Sequence, residues 1–207
     1  MSYIDSINRA RGQRLLALES KAKKDDVPII LDETYRFLSQ IIRLRGAQTV
    51  LELGSAIGYN AIRLCNDHPS LRVSTIERDK TMIEAARKNI ADFSMESRIE
   101  LIEGDALEID TTTLGTFDLV FIDAAKAQNI KFFEKYERHL NAQGVIVVDN
   151  VLFHDMITKR IRSRNLRQLI RKIDAFNQYV MQRDDFDSAI HPLGDGVCVS
   201  IKRQVKP

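Results

Sequence analysis

The chain has 207 residues, 44% of them hydrophobic and 29% charged, with 9 Gly, 4 Pro and 2 Cys. That length buries one sizeable core and is short for two ordinary domains, so a single domain over 1–207 is expected. The composition excludes collagen-like, low-complexity and wholly disordered chains. No apolar run nears the roughly 20 residues of a membrane span, and Asp5, Arg9, Arg11 and Arg14 interrupt any signal core near the start. A cytoplasmic protein that does not engage membranes is therefore expected.

Apolar periodicity changes along the chain. Residues 3–22 space Ile4, Ile7, Leu15 and Leu18 as a helix does, and residues 31–45 place Leu31, Tyr35, Leu38 and Ile42 on one helical stripe. Val27 and Pro28 should break the helix between them. The two stretches form a helical cover over 1–46, ahead of an alternating core over 47–207. Short β-rich runs follow at Thr49–Leu53, Arg72–Glu77, Ile99–Glu103, 117–123 and 144–149, separated by helix-forming segments near 58–67, 79–93 and 127–140. Alternation of this kind implies right-handed crossovers and a doubly wound parallel sheet. A longer helix is expected over about 160–182, with Leu166, Leu169, Ile170, Ile173, Phe176 and Val180 turned inward. Runs at 188–192 and 196–201, flanking Leu193, Gly194 and Asp195, predict a terminal antiparallel hairpin.

Cys65 and Cys198 stand far apart with no Cys-x-x-Cys or Cys/His cluster, which fits core thiols rather than a disulfide or zinc site. The formal net charge of +2 conceals an asymmetry: 7 cations (Lys159, Arg160, Arg162, Arg164, Arg167, Arg171 and Lys172) fall in one stretch without an acidic residue, leaving 24 basic against 29 acidic side chains elsewhere. Such a field points to a polyanionic partner; the plainer alternative is a solvated helix face.

The chemistry gathers at strand ends. The first strand runs into Glu52, Leu53, Gly54, Ser55, Ala56, Ile57 and Gly58, and glycines at a strand-to-helix turn let a ligand approach the backbone. Glu77 ends the second strand, 25 residues after Glu52, where a carboxylate reads ribose hydroxyls or else caps the next helix. Asp105 and Ala106 follow the third strand and could read an adenine edge. Together these describe an adenosine pocket. The dinucleotide fingerprint is incomplete because Ala56 occupies its central glycine position, which weighs against a nicotinamide-dependent oxidoreductase. Asp123 and the pair Asp149, Asn150 end the fourth and fifth strands. If those strands are neighbours, the three side chains converge as hard oxygen donors suited to Mg²⁺ or Mn²⁺; alternatively Asp149 and Asn150 simply begin a turn.

These motifs resemble the cation-dependent, S-adenosylmethionine (SAM)-dependent O-methyltransferases, the family of the catechol and caffeoyl-CoA enzymes. The resemblance covers almost the whole chain and rests on residues 50–60, 75–77, 104–106, 117–126 and 144–153. It implies an α/β, Rossmann-like class I SAM-dependent methyltransferase fold: a doubly wound, mostly parallel seven-stranded sheet with a C-terminal antiparallel hairpin and extra N-terminal helices. It further implies that Glu52, Gly54, Asn60, Glu77, Asp105, Ala106 and Asp123 line the cofactor, with Ile30 covering it. Asp123, Asp149 and Asn150 would hold Mg²⁺ or Mn²⁺. Asp123 and Lys126 become the catalytic residues, Lys126 standing where relatives carry a lysine assigned as general base, although a simple salt bridge is the alternative.

Within the family the chain is most similar to the bacterial tRNA 5-hydroxyuridine methyltransferase branch, through Val27, Pro28 and Ile29, the run 121–126, the run 149–153 and Leu193, Gly194, Asp195 and Gly196. That branch implies methylation of the 5-hydroxyl of wobble 5-hydroxyuridine to 5-methoxyuridine. Arg160, Arg162, Arg164, Arg167 and Arg171 would contact the tRNA anticodon loop, and a homodimer is implied. The competing expectations are an O-methyltransferase for a small catechol-like phenol and a non-catalytic RNA-binding scaffold.

Overall fold

The structure, a computed structural model, describes residues 7–8, 11–153 and 163–204. Two helices lead. α1 (Gln13–Lys24) carries Lys21, Lys23 and Lys24 in its last turn, and α2 (Asp32–Arg45) starts with Asp32 and Glu33 and ends on Gly46 in the left-handed conformation. Acid at the first turn, base at the last and a glycine cap satisfy the dipole and the orphan groups at the helix ends. Pro28 lies between the helices, as its effect on the preceding backbone predicts.

The core alternates β1 (Thr49–Leu53), α3 (Tyr59–Asp67), β2 (Arg72–Glu77), α4 (Lys80–Asp92), β3 (Ile99–Glu103), β4 (Phe117–Ile122), α5 (Asn129–Tyr136), β5 (Leu140–Asp149), α6 (Arg164–Met181), β6 (Phe186–His191) and β7 (Val197–Lys202). The strands form one seven-stranded sheet in the order β3-β2-β1-β4-β5-β7-β6. β1 pairs in parallel with both β2 and β4, and only β7 is antiparallel to its neighbours β5 and β6. The winding reverses between β1 and β4, which opens a crevice at their carboxyl ends.

Strand pleat divides the interior into two layers. Val50, Leu119, Phe121, Val145 and Val147 face a cluster with Leu15, Leu38, Ile42 and Ile62, whereas Leu51, Leu53, Val120, Ile122, Ile146 and Val148 face one with Phe132, Phe133, Phe176 and Val180. The leading helices thus cover one face and α5 with α6 the other. Arg63, fully buried, ties α3 to α2: its guanidinium pairs with Asp32 at 2.5 Å and lies 3.4 Å from the Tyr35 ring centroid.

Several boundaries differ from expectation. α5 ends at Tyr136 in a 3₁₀ turn over Glu137–His139, and β5 starts at Leu140 rather than 144. Phe117 pairs with Leu140 before the register shifts, so pairing with β4 recruits residues whose local pattern reads as helix. β6 likewise begins at Phe186 rather than 188, because the ladder with β7 reaches Lys202. Lys159, Arg160 and Arg162, expected on the cationic stretch, lie outside the described residues. Cys65 and Cys198 are buried free thiols, each pushed up to about 11 by desolvation. Among the described residues no helix is long and apolar enough to cross a membrane.

Candidate active site

The turn after β1 is shaped by backbone contact. Gly54 has φ +95°, and a Cβ there would lie 2.4 Å from the Asp123 carbonyl oxygen. Only glycine lets the β1 and β4 ends approach this closely. Ala56 also adopts a positive φ of 44°, and its N–H donates to Glu77 Oε2 at 2.9 Å. The missing central glycine is therefore replaced by an alanine in a conformation that costs about 1 kcal/mol, held by the carboxylate at the end of β2.

Glu77 Oε1 in turn accepts from the backbone N–H groups of Arg78 and Asp79. Asp105 accepts from the Leu107 N–H and from Arg78, each at 2.9 Å, and these contacts hold its carboxyl below the usual range. Beneath the turn, Glu52 is 1% exposed and accepts from Asn60 Nδ2 at 2.7 Å and Thr75 Oγ1 at 2.5 Å. Burial outweighs those bonds and pushes Glu52 up to about 7. Asn60 Oδ1 is buried without a partner, so an acceptor next to the turn awaits a donor.

A cavity of about 560 Å³ runs along these strand ends, the size of a small-ligand site. Gly54, Glu77, Asp105, Ala106, Asp123 and Lys126, all singled out in the sequence, line it. Glu52 and Asn60 lie one layer below. Ile30, expected as the cover, is buried in the core cluster that also holds Leu38 and Tyr59, and Pro28 lines the cavity. Met82, Gln128 and Phe132 also face the cavity. Their apolar or neutral side chains carry no motif, so only the fold reveals them.

Pairing of β4 with β5 brings Asp123 to the pair that ends β5. Asn150 Nδ2 donates to Asp123 Oδ1 at 3.0 Å, and the Asn150 N–H donates to Asp149 Oδ1 at 2.7 Å. Asp149 is 6% exposed and is pushed up to about 7, first by desolvation and then by the charge of Asp123. Desolvation also raises Asp123, against the opposing charge of Lys126. Lys126 Nζ lies 5.8 Å from the Phe153 ring centroid. Among the described residues no group of three or more His, Cys, Asp or Glu side chains is placed to hold a metal ion; this cluster is two carboxylates and an amide.

Supports from distant segments hold the loop after Asn150. Asn177 on α6 donates to the Val151 carbonyl at 2.8 Å. The N–H groups of Leu152 and Phe153 donate to the Asp195 carbonyl in the β6–β7 turn. There Gly196, with φ +88°, leaves room for Leu152 that a Cβ would fill at 2.4 Å. Asn177 escaped sequence reasoning because a single amide on an apolar helix face has no pattern. α6 itself packs against the 3₁₀ turn Lys126–Gln128 and exposes Arg164, Arg167 and Arg171.

Sheet order, switch-point crevice and the antiparallel strand insertion together define the class I SAM-dependent methyltransferase fold. Residues 13–203 match a family profile described as O-methyltransferase, and the chain belongs to that family. A Mycobacterium tuberculosis catechol O-methyltransferase is 37% identical over 119 residues, 56% of this chain and 54% of that protein. A Staphylococcus aureus protein, solved under the provisional name caffeoyl-CoA O-methyltransferase, superimposes with a TM-score of 0.91 at 34% identity, covering 97% of this chain and 98% of the other. The O-methyltransferase TomG of Streptomyces achromogenes, solved in complex with SAM, shares the fold at a TM-score of 0.82 and 24% identity, over 98% of this chain and 95% of that one.

Proposed function

We propose that this SAM-dependent O-methyltransferase methylates the 5-hydroxyl of 5-hydroxyuridine at the tRNA wobble position, giving 5-methoxyuridine. In this reading it uses a divalent cation, Mg²⁺ or Mn²⁺, and works as a cytoplasmic homodimer. The observation that carries the reading is that Arg164, Arg167 and Arg171 are exposed on α6, a helix that packs against the Lys126–Gln128 wall of the cavity. A small phenol gives no reason for that charge beside the active site, whereas an RNA backbone is attracted to it. An anticodon loop also presents an unstacked base without the cost of opening a duplex.

The residues fit both small ligands. The Gly54 turn admits a backbone-hugging ligand, and the buried Asn60 oxygen offers an acceptor to a cofactor ammonium. Asp123, Asp149 and Asn150 supply hard oxygen donors, and two neighbouring buried carboxylates repel unless a cation compensates them. When bound, SAM supplies the electrophilic methyl and the divalent ion supplies positive charge that eases ionisation of the acceptor hydroxyl. Glu77 and Asp105 orient the nucleoside end, while Asp123 sits where the two ligands meet. Lys126, which lines the cavity with Asp123, is the residue this reading assigns as the base, accepting the hydroxyl proton as the neutral amine. The chain's main contribution is alignment of the reacting atoms.

Nucleoside mass spectrometry of tRNA from a deletion strain tests the reading: 5-hydroxyuridine should accumulate at the expense of 5-methoxyuridine. An unaltered nucleoside profile would end it. The second reading, a small catechol-like phenol as acceptor, is favoured by the catechol-methylating relative, and predicts that purified enzyme methylates catechol and leaves tRNA untouched.

A further inference from the structure

Beside the active-site cavity lies a second one, of about 510 Å³, lined by Ala127, Asn165, Gln168, Leu169, Arg171 and Lys172. Ala127 also lines the first cavity, so the two share the short wall Lys126–Gln128. Asn165, Gln168, Leu169 and Lys172 are spaced i, i+3, i+4 and i+7, and therefore form one face of α6. Arg171 flanks that face, and α6 carries no acidic residue before Asp174. The chemistry is mixed in a specific way. Two cations attract a phosphate, two amides can donate to and accept from a base edge, and Leu169 with Ala127 gives an apolar floor against which a sugar or base can rest.

We propose that this cleft is a nucleotide subsite, holding the RNA nucleotide next to the one whose base enters the catalytic cavity. The assignment rests on the tRNA reading above and adds the side chains that grip the neighbouring residue. Lys172 and Arg171 hold the phosphate between the two nucleotides, and Asn165 and Gln168 face the neighbouring base. The 3₁₀ turn Lys126–Gln128 is then the divider over which the strand bends, which would splay the target base away from its neighbour and toward the cofactor.

The test uses the full chain with SAM and Mg²⁺ on three acceptors: an anticodon stem-loop carrying 5-hydroxyuridine, the 5-hydroxyuridine nucleoside, and a catechol-bearing CoA ester. With K172E the KM for the stem-loop should rise about tenfold while kcat stays within about twofold, and the slope of log KM against log salt should shrink by about one. With Q168A the stem-loop KM should rise about threefold with the salt slope unchanged, because an amide carries no charge. Kinetics on the nucleoside, too small to reach the cleft, should not move in either variant. Equal losses on nucleoside and stem-loop, or an unchanged stem-loop KM in K172E, would overturn the subsite. If wild type methylates the stem-loop but both variants match it, the subsite fails and the tRNA reading survives. If wild type prefers the CoA ester and K172E weakens that ester instead, both fail and the cleft belongs to the phosphates of a coenzyme.

Discussion

The two ends of the cavity differ in how their carboxylates are satisfied. At the end formed by β2 and β3, Glu77 accepts from the N–H groups of Ala56, Arg78 and Asp79, and Asp105 from Leu107 and Arg78. At the other end Asp123 and Asp149 share one asparagine, and each is pushed upward by burial, Asp149 also by its neighbour's charge. One end is organised by the chain's own donors before any ligand arrives. The other holds two buried carboxylates, one raised further by the charge of the other, a conflict that the proposed cation would relieve. Binding of the methyl donor and activation of the acceptor should therefore be separable by mutation.

The sharpest break is D149A. Turnover should fall by about a thousandfold, roughly 4 kcal/mol, while calorimetric affinity for SAM stays within about threefold. Comparable losses in both would merge the two ends into one unit. Next is G54A, which puts a methyl group into the Asp123 carbonyl. Its SAM affinity should drop about a hundredfold, near 3 kcal/mol, with the circular dichroism spectrum retained.

A smaller effect concerns Glu52, raised to about 7 in the folded chain from an ordinary 4.5. The folded state holds this proton more tightly than the unfolded one, so the associated stability is complete below about pH 4.5 and is lost as pH rises through about 7. Between pH 5.5 and 8 Glu52 should account for about 2 kcal/mol of the stability the ligand-free protein loses by urea titration, and E52Q should remove that share of the slope while the share of Asp149 remains. A wild-type curve already flat over this range would contradict the burial argument. Smallest is A56G: relief of the left-handed alanine should raise stability by about 0.5–1 kcal/mol, seen as a higher urea midpoint with unchanged m.

Much of this molecule was legible in its residues. Five β-rich runs separated by helical segments implied the wound sheet, and the acidic strand ends at Glu77, Asp123 and Asp149 pointed to one rim. Local pattern failed where pairing overrode it, at the start of β5 and β6. The family resemblance assigned Ile30 to the cover of the cofactor, and the fold buries it in the core cluster that also holds Leu38. Asn177 went unread because it acts on a partner far away in sequence, and neither the cavity wall at Pro28 nor the bond from Thr75 to Glu52 follows from the motifs that contain them.

The amino-acid order by itself determined which side chains could do chemistry and at which strand ends they would fall, since hydrophobic period and glycine position are properties of neighbouring residues. Which of those ends meet was decided only in three dimensions. The adjacency of β4 and β5, the close approach of Gly54 to Asp123 and the seating of α6 against the 3₁₀ turn Lys126–Gln128 all depend on contacts between segments tens of residues apart. No local propensity encodes those contacts; they arise because burying both faces of one sheet leaves the chain few ways to wind.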